Sequence, residues 1–342
     1  MERILHLLCC PETGMPLRLD DTTLISERGQ RYPIIEGIPR LLTPTKSLEE
    51  EEVRQRMQQF YEQVTFPGYD DIDSPGVLMD KARQSGFGKW LDEAIPPIAR
   101  VLEVGCGTGQ MTNFLGLVPT RTVIGIDMSM PSLTLGQRFK EKFGLANVHF
   151  VQGNIFAMPV REESVDVLIC SGVLHHTPDS RGGFERLLTL VKPRGKILIG
   201  LYNTFARIPT GLRKFLFSFT GKTLRFLDAH MRRRDVDTRK KEIWFADQYQ
   251  NPHESWHSVG EVLGWFDAAG VRFLSAVPNI GGKLPTETEH MQLFEEHSRG
   301  SRWQHFLRQL SWTVSIGHEG GLFVMVGEKK QNQTRSLPRC IT

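Results

Sequence analysis

The chain has 342 residues, enough for one large domain or two modest ones, and its 39% hydrophobic and 24% charged residues are ordinary for a globular protein. A net charge of +3 is too small to call for a nucleic-acid partner. No apolar run reaches the length of a membrane span, acidic Glu2 and the turn after Cys10 argue against a signal peptide, and the five cysteines form no disulfide framework, which fits a reducing cytoplasm.

Residues 1–43 carry two short apolar stretches rich in turn residues, LLCCPETGMPLRL and RYPIIEGIPRLL. A small β-module packed on the main domain is expected there. Together the stretches resemble the Trm112-like module, a relative of the zinc ribbons. The resemblance departs at the metal: Thr13 stands where the second cysteine of a CxxC pair would be. A closed structural zinc needs four ligands, so none is expected.

Residues 44–94 read as a helical linker and cap. The acidic run 47–52 suits a helix N-terminus, Val53 to Tyr61 continues with helical character, 65–76 is a loop by its Pro, Gly and Asp content, and 77–94 is a further helix. From Arg100 the pattern changes. RVLEVGCGTG is a short strand running into a glycine-rich turn, and TVIGIDMS is a second strand ending in an acid. VHFVQGN, VDVLICSG and GKILIGLYN are three more, and VRFLSAVPNI and GLFVMVGEKK come late. Helical segments alternate with the first five, which predicts an α/β fold with a doubly wound parallel sheet. Residues 95–330 are expected to form this domain, with an insert at 204–243 as a lid and 331–342 as a flexible tail. Residues 286–316 read as a helix that completes a pocket or contacts a second copy of the chain.

The glycine-rich turn carries the strongest chemical signal. Gly105, Gly107 and Gly109 let backbone approach a ligand that side chains would exclude. Asp127, 18 positions after Gly109, ends the next strand, where a carboxylate can accept both hydroxyls of a ribose. The dinucleotide fingerprint G-x-G-x-x-G fails, because Gln110 stands at its third glycine. Glu103 would repel a pyrophosphate and suits a cationic sulfonium or amino-acid group.

Five ordered motifs, VLEVGCGTGQ, GIDMS, QGNIFAMPV, DVLICSGVLHHTPD and LVKPRGKILIGLYN, resemble those of class I S-adenosylmethionine-dependent methyltransferases. The resemblance implies a seven-stranded, Rossmann-like sheet with helical insertions and S-adenosylmethionine as cofactor. It implies that Glu103, Gly105 and Gly107 line the methionine part while Cys106 and Gly109 shape the cofactor-binding loop, that Asp127 holds the ribose with Met128 against the adenine, and that Asn154 and Ile155 reach the adenine edge. Many relatives have Asp at position 154, but Asn both accepts and donates. Cys170 and Ser171 are implied to lie beside the transferred methyl. Methyl transfer requires alignment and sometimes a base, for which His175, His176 and Tyr202 are candidates.

NPHESWH, at 251–257, matches H-E-x-x-H, the zinc protease pattern. Pro252 puts it at a helix start rather than within a long helix, and proteolysis is set aside. His253 and Glu254 either cap that helix while His257 packs, or all three face the active site as substrate contacts. His253 and His257 as metal ligands are the lesser alternative, and no metal is expected. Between Arg207 and Lys241 lie eleven Lys or Arg and three Asp. This stretch reads as a solvated face of a lid, and it also suits contact with a membrane surface.

The sequence therefore reads as a cytoplasmic S-adenosylmethionine-dependent methyltransferase acting on a small, lipophilic molecule. An RNA or protein methyltransferase, or a non-catalytic module that binds the cofactor, remains the alternative.

Overall fold

The computed structural model describes residues 1–43, 48–63, 68–220, 224–233, 237–282, 291–317 and 320–331. After helix α1 (Glu2–Leu5) come four short strands: β1 (Leu17–Asp20), β2 (Thr23–Ser26), β3 (Arg31–Ile35) and β4 (Ile38–Pro39). They pair in sequence order as an antiparallel sheet. This module does not stand apart. Cys9 N donates to Pro159 O, Arg161 N to Leu7 O, and Leu41 N to Gln152 O. Ile4, Leu8, Leu24 and Leu41 pack in one core with Ile126, Val151 and Val160 of the main unit. Cys10 Sγ lies 3.2 Å from the Tyr32 hydroxyl, which donates to Glu12.

Helices α2 (Leu48–Gln63), α3 (Pro75–Gln84) and α4 (Gly86–Ala94) follow. The single helix expected over 77–94 is broken at Ser85. That residue is extended and its hydroxyl accepts from Gly88 N, so it caps a new helix instead of continuing the old one.

The main sheet contains β5 (Arg100–Val104), β6 (Thr122–Asp127), β7 (Val148–Gln152), β8 (Val165–Ser171), β9 (Val191–Tyr202), β10 (Val271–Val277) and β11 (Leu322–Lys329). Its order is β10-β11-β9-β8-β5-β6-β7. Pairings among β5 to β9 are parallel, while β11 runs antiparallel to both neighbours. All seven strands expected from the sequence are present. Every residue of β7 is buried, as in a strand covered on both faces.

The connecting helices are α5 (Gln110–Leu115), α6 (Met130–Phe143), α7 (Ser180–Leu190), α8 (Ile208–Thr220), α9 (Ala229–Arg232), α10 (Thr238–Phe245), α11 (Val259–Ala268) and α12 (Arg302–Ser315). Short polar side chains start several of them: Ser129 for α6, Asp179 for α7, and full capping boxes Ser258–Glu261 and Ser301–Gln304 for α11 and α12. The helix expected over 286–316 is shorter. Only α12 is helical, 291–301 is not, and 286–290 lie outside the described residues, as does the expected flexible tail beyond residue 331. Serine at 301 and glycine at 300 set the boundary: the first caps, and the second has φ +70°.

Strand order reverses between β5 and β8, which opens a crevice at the carboxyl ends of the strands.

Candidate active site

That crevice holds a cavity of about 590 Å³, within the usual range for small-molecule sites. Its floor is the strand ends: Glu103 to Gly107 after β5, Asp127 and Met128 after β6, Asn154 and Ile155 after β7, Ser171 to Val173 after β8, and Tyr202 after β9. Its roof comes from Met57 and Tyr61 of α2, Ile243 and Trp244 of α10, and the π-helical turn 246–250 through Asp247 and Gln248.

The turn after β5 explains its glycines. Gly105 and Gly107 have φ of +71° and +53°, in the left-handed region that favours glycine. A β-carbon on Gly105 would also stand 2.2 Å from Val173. The turn is held to β6 by Asp127, whose Oδ2 accepts from Gly107 N and Oδ1 from Ser129 N, both at 2.8 Å. Each oxygen retains capacity for one more donor. Burial raises the proton affinity of Asp127, and these amides oppose the rise.

Glu103 accepts from the Thr112 hydroxyl. Burial, with a smaller push from Asp127, raises its pKa to about 7. A cationic group in the cavity would reverse that. Asn154 uses Oδ1 to accept from Phe156 N, while its buried Nδ2 has no hydrogen-bond partner. These features fit S-adenosylmethionine: a buried carboxylate able to face a cationic centre, a second with two open acceptor sites, and an unpaired amide donor. Cys106 also lines the cavity.

Cys170 does not. It is fully buried behind the wall, because strand alternation turns Ser171 toward the cavity and Cys170 away. His175 is likewise absent from the lining. It is fully buried between His176 and Tyr202, at ring distances of 4.2 and 3.9 Å, with neither nitrogen hydrogen-bonded. Burial pushes its pKa far down, so the ring is neutral. His176 does line the cavity. Its Nδ1 donates to His253 O at 2.8 Å, which leaves Nε2 as the acceptor, 3.4 Å from Asn251 Nδ2. Tyr202 accepts from Gln248 Nε2, and Asp247 accepts from both Tyr61 and Gln248.

Apart from His257, which packs as a buried ring against Trp265, the HESWH run departs from both forms of its expectation. It precedes α11 as irregular chain, because Ser258 is the helix cap. His253, Glu254 and His257 lie outside the cavity lining. His253 Nε2 donates to Thr177 O, and His257 bonds Glu261, Ser255 and Ser180. His257 N also donates to Tyr202 O, which extends the end of β9. Glu254 pairs with Arg207, a residue that charge counting assigns to the basic surface of the insert and that is 0% exposed. Among the described residues no group of three or more His, Cys, Asp or Glu is arranged to hold a metal. No helix among them is long and apolar enough to cross a membrane.

Sequence reading missed the roof residues Met57, Tyr61, Ile243 and Trp244. Nothing local distinguishes them from ordinary helix-face residues; they become site residues only where α2 and α10 cross the strand ends.

Residues 97–262 match the family model of a methyltransferase domain. The seven-stranded unit has the fold of class I S-adenosylmethionine-dependent methyltransferases, and the matched segment spans its strands β5 to β9. Among curated proteins the chain is similar to an uncharacterized protein of Synechococcus, 26% identical, with 51% of this chain and 48% of that one covered. It is also 31% identical to a demethylmenaquinone methyltransferase of Lactococcus lactis, over 29% of this chain and 40% of that one. The chain thus spans half or less of the length of these relatives. Among solved structures it resembles PKMT2 from Rickettsia typhi in complex with AdoHcy, with a TM-score of 0.50, 15% identity, and 72% and 53% of the two chains covered. At that identity the likeness is one of fold.

Proposed function

We propose that the chain transfers the methyl group of S-adenosylmethionine to a small, lipophilic acceptor held in the same cavity. The observation that carries this reading is the lining. The strand ends supply Glu103 and Asp127, whereas α2, α10 and β11 supply Met57, Tyr61, Ile243, Trp244 and Leu322. Acidic groups meet the charged cofactor, and a largely apolar roof, with Asp247 and Gln248 set in it, shelters the acceptor. Similarity to a demethylmenaquinone methyltransferase agrees with an acceptor of that kind.

In this reading Glu103 meets the cationic methionine part, Gly105 and Gly107 let the backbone approach it, and Asp127 takes the ribose hydroxyls. Met128 and Ile155 lie against the adenine, and Asn154 Nδ2 donates to a ring nitrogen. Bound S-adenosylmethionine supplies a methyl group that is already electrophilic. The protein's share is then orientation and proton removal. Asp247, bonded to Tyr61 and Gln248, is assigned as the proton acceptor, and His176 Nε2 positions the roof through Asn251.

Incubation with methyl-labelled S-adenosylmethionine and an extract of cell lipids and small molecules tests the reading. Label is expected in the organic phase, with release of S-adenosylhomocysteine. Label in RNA or protein alone would overturn the choice of acceptor, and binding with no turnover would leave a cofactor-binding module. Asp247→Asn is expected to lower kcat by about a hundredfold with cofactor affinity unchanged.

Glu103 gives a pH test. Its raised pKa means the free protein holds a proton there up to about pH 7. A cationic ligand prefers the deprotonated form, so cofactor affinity rises with pH and levels off above about 7, with at most about tenfold gained per unit below it. Glu103→Gln is expected to flatten that profile. A wild-type affinity independent of pH between 5.5 and 8 would remove Glu103 from the cationic end.

A further inference from the structure

Two helices of this chain are built inside out. On α12 the buried face carries His305 and Gln309 beside Trp312, and these polar groups are satisfied internally. His305 Nε2 donates to Arg299 O, and Gln309 Oε1 accepts from Asn203 Nδ2 and Val259 N. The outer face carries Trp303, Phe306, Leu307 and Leu310, each 41–67% exposed. On α8 the outward residues are Ile208, Leu212, Phe215, Leu216 and Phe219, 42–76% exposed, at the 4-3-1-3 spacing of one helix face. Only Thr210 and Phe217 of that helix are buried. Neither helix can owe its apolar side to the protein's own core.

The two faces are joined. Phe205, just before α8, meets Phe306 at a ring distance of 5.8 Å, and Thr313 of α12 donates to Phe205 O. Nine large apolar side chains are thus exposed on two helices that meet at Phe205, more than scattered exposed residues account for.

Charge selects the occupant. Neither α8 nor α12 contains an Asp or Glu, and together they contain Arg213, Lys214, Arg302 and Arg308. Among the described residues Lys214 and Arg308 bond carbonyl oxygens, Asn251 O and Gly282 O, and no carboxylate, whereas Arg213 meets Asp228. A second copy of this face would set cations against cations. An anionic bilayer surface complements it, with Phe, Leu and Trp side chains entering the acyl boundary and Lys and Arg meeting the headgroups.

We propose that α8 and α12 form a docking face for an anionic lipid bilayer. The face lies one helix away from the candidate site. Phe217 of α8 packs on Tyr249 at 4.9 Å, in the same π-helical turn that gives Asp247 and Gln248 to the cavity roof. A lipophilic molecule leaving the bilayer would meet that roof first. The proposal stands whether or not the acceptor assigned above is right.

Flotation of the full chain with phosphatidylcholine vesicles, with and without phosphatidylglycerol, tests it. Binding is expected only to the anionic vesicles and is expected to weaken as salt rises. Phe215→Ser/Phe219→Ser and, separately, Trp303→Ser/Leu307→Ser are expected to reduce binding at least about tenfold. All four side chains are exposed, so unfolding temperature and S-adenosylmethionine binding should not change. Absence of flotation overturns the proposal, as does flotation that neither double variant affects. A chain that floats with no vesicle but sediments as a dimer, dissociated by either double variant, would make the face a contact between copies and also overturn it.

Discussion

Asp127→Ala is expected to weaken S-adenosylmethionine binding about a hundredfold in a calorimetric titration while the chain still unfolds cooperatively. Both carboxylate oxygens already accept a backbone amide at 2.8 Å, from Gly107 and Ser129. Those bonds aim the remaining lone pairs and hold the turn after β5. In the proposed cofactor pose, removing the side chain deletes two charge-assisted bonds to a ribose and frees the turn. At about 1.5 kcal/mol for each bond the loss is about 3 kcal/mol, which corresponds to roughly a hundredfold in affinity. Asp127→Asn keeps the shape and one acceptor, so a smaller loss is expected. Unchanged affinity in the alanine variant would remove Asp127 from the cofactor site.

Arg207→Ala is expected to cost about 3–5 kcal/mol of stability, read by denaturant unfolding. The guanidinium is fully buried. Its Nε and Nη2 bond the two oxygens of Glu254, its Nη1 bonds Gln248 and Gly320 O, and it lies 3.8 Å over the Tyr202 ring. Truncation leaves a buried carboxylate without its cation. Replacing both partners with apolar residues, Arg207→Met/Glu254→Leu, is expected to recover much of the loss. If the double variant is no more stable than Arg207→Ala, the uncompensated charge is not what the single change exposes.

The same pair makes stability depend on acid. Burial alone would raise the pKa of Glu254, but the hydrogen bond and charge of Arg207 outweigh it and hold the carboxyl below its ordinary 4.5. A depressed acid contributes stability that is complete above the unfolded value and lost as pH falls through the folded one. The wild type is therefore expected to lose this share only below about pH 4.5, and Glu254→Gln to lose it at every pH.

The seven strands were readable because they are short runs rich in branched apolar residues, most of them bounded by glycine, proline or asparagine. TVIGID and VDVLIC leave little choice once helices alternate with them. The glycines and Asp127 were readable for a different reason: a tight turn and a carboxylate at a strand end are local features, and their spacing carries the geometry. What failed were assignments made by residue type without a view of the neighbours. Cys170 and Ser171 are adjacent, yet the pleat sends one into the core and the other to the cavity. His175 and His176, adjacent in a 3-10 turn, divide as well, and only the second reaches the site.

HESWH shows the limit most clearly. A pattern of two histidines and a glutamate is the same string whether it binds a metal, a substrate or its own chain. Here Arg207, 47 residues earlier, takes the glutamate, and Thr177, Ser180 and Ser255 take the histidines. Except for Ser255, those partners are distant in sequence, so no local rule could name them. The basic insert fared likewise: Arg207 went inside, while Lys240 and Arg225 found Asp71 and Glu242.

By itself the sequence determined the doubly wound sheet, its glycine turn, and the carboxylates at two strand ends, because period, turn chemistry and spacing are local and survive without partners. Only the tertiary structure decided which histidine faces the cavity, that α2 and α10 close its roof, that Arg207 and Glu254 are a buried pair, and that α8 and α12 turn their apolar sides outward. Each of those depends on which surfaces meet across the fold. A side chain's chemistry is carried in its own atoms, but its burial and its partner are properties of the packed whole.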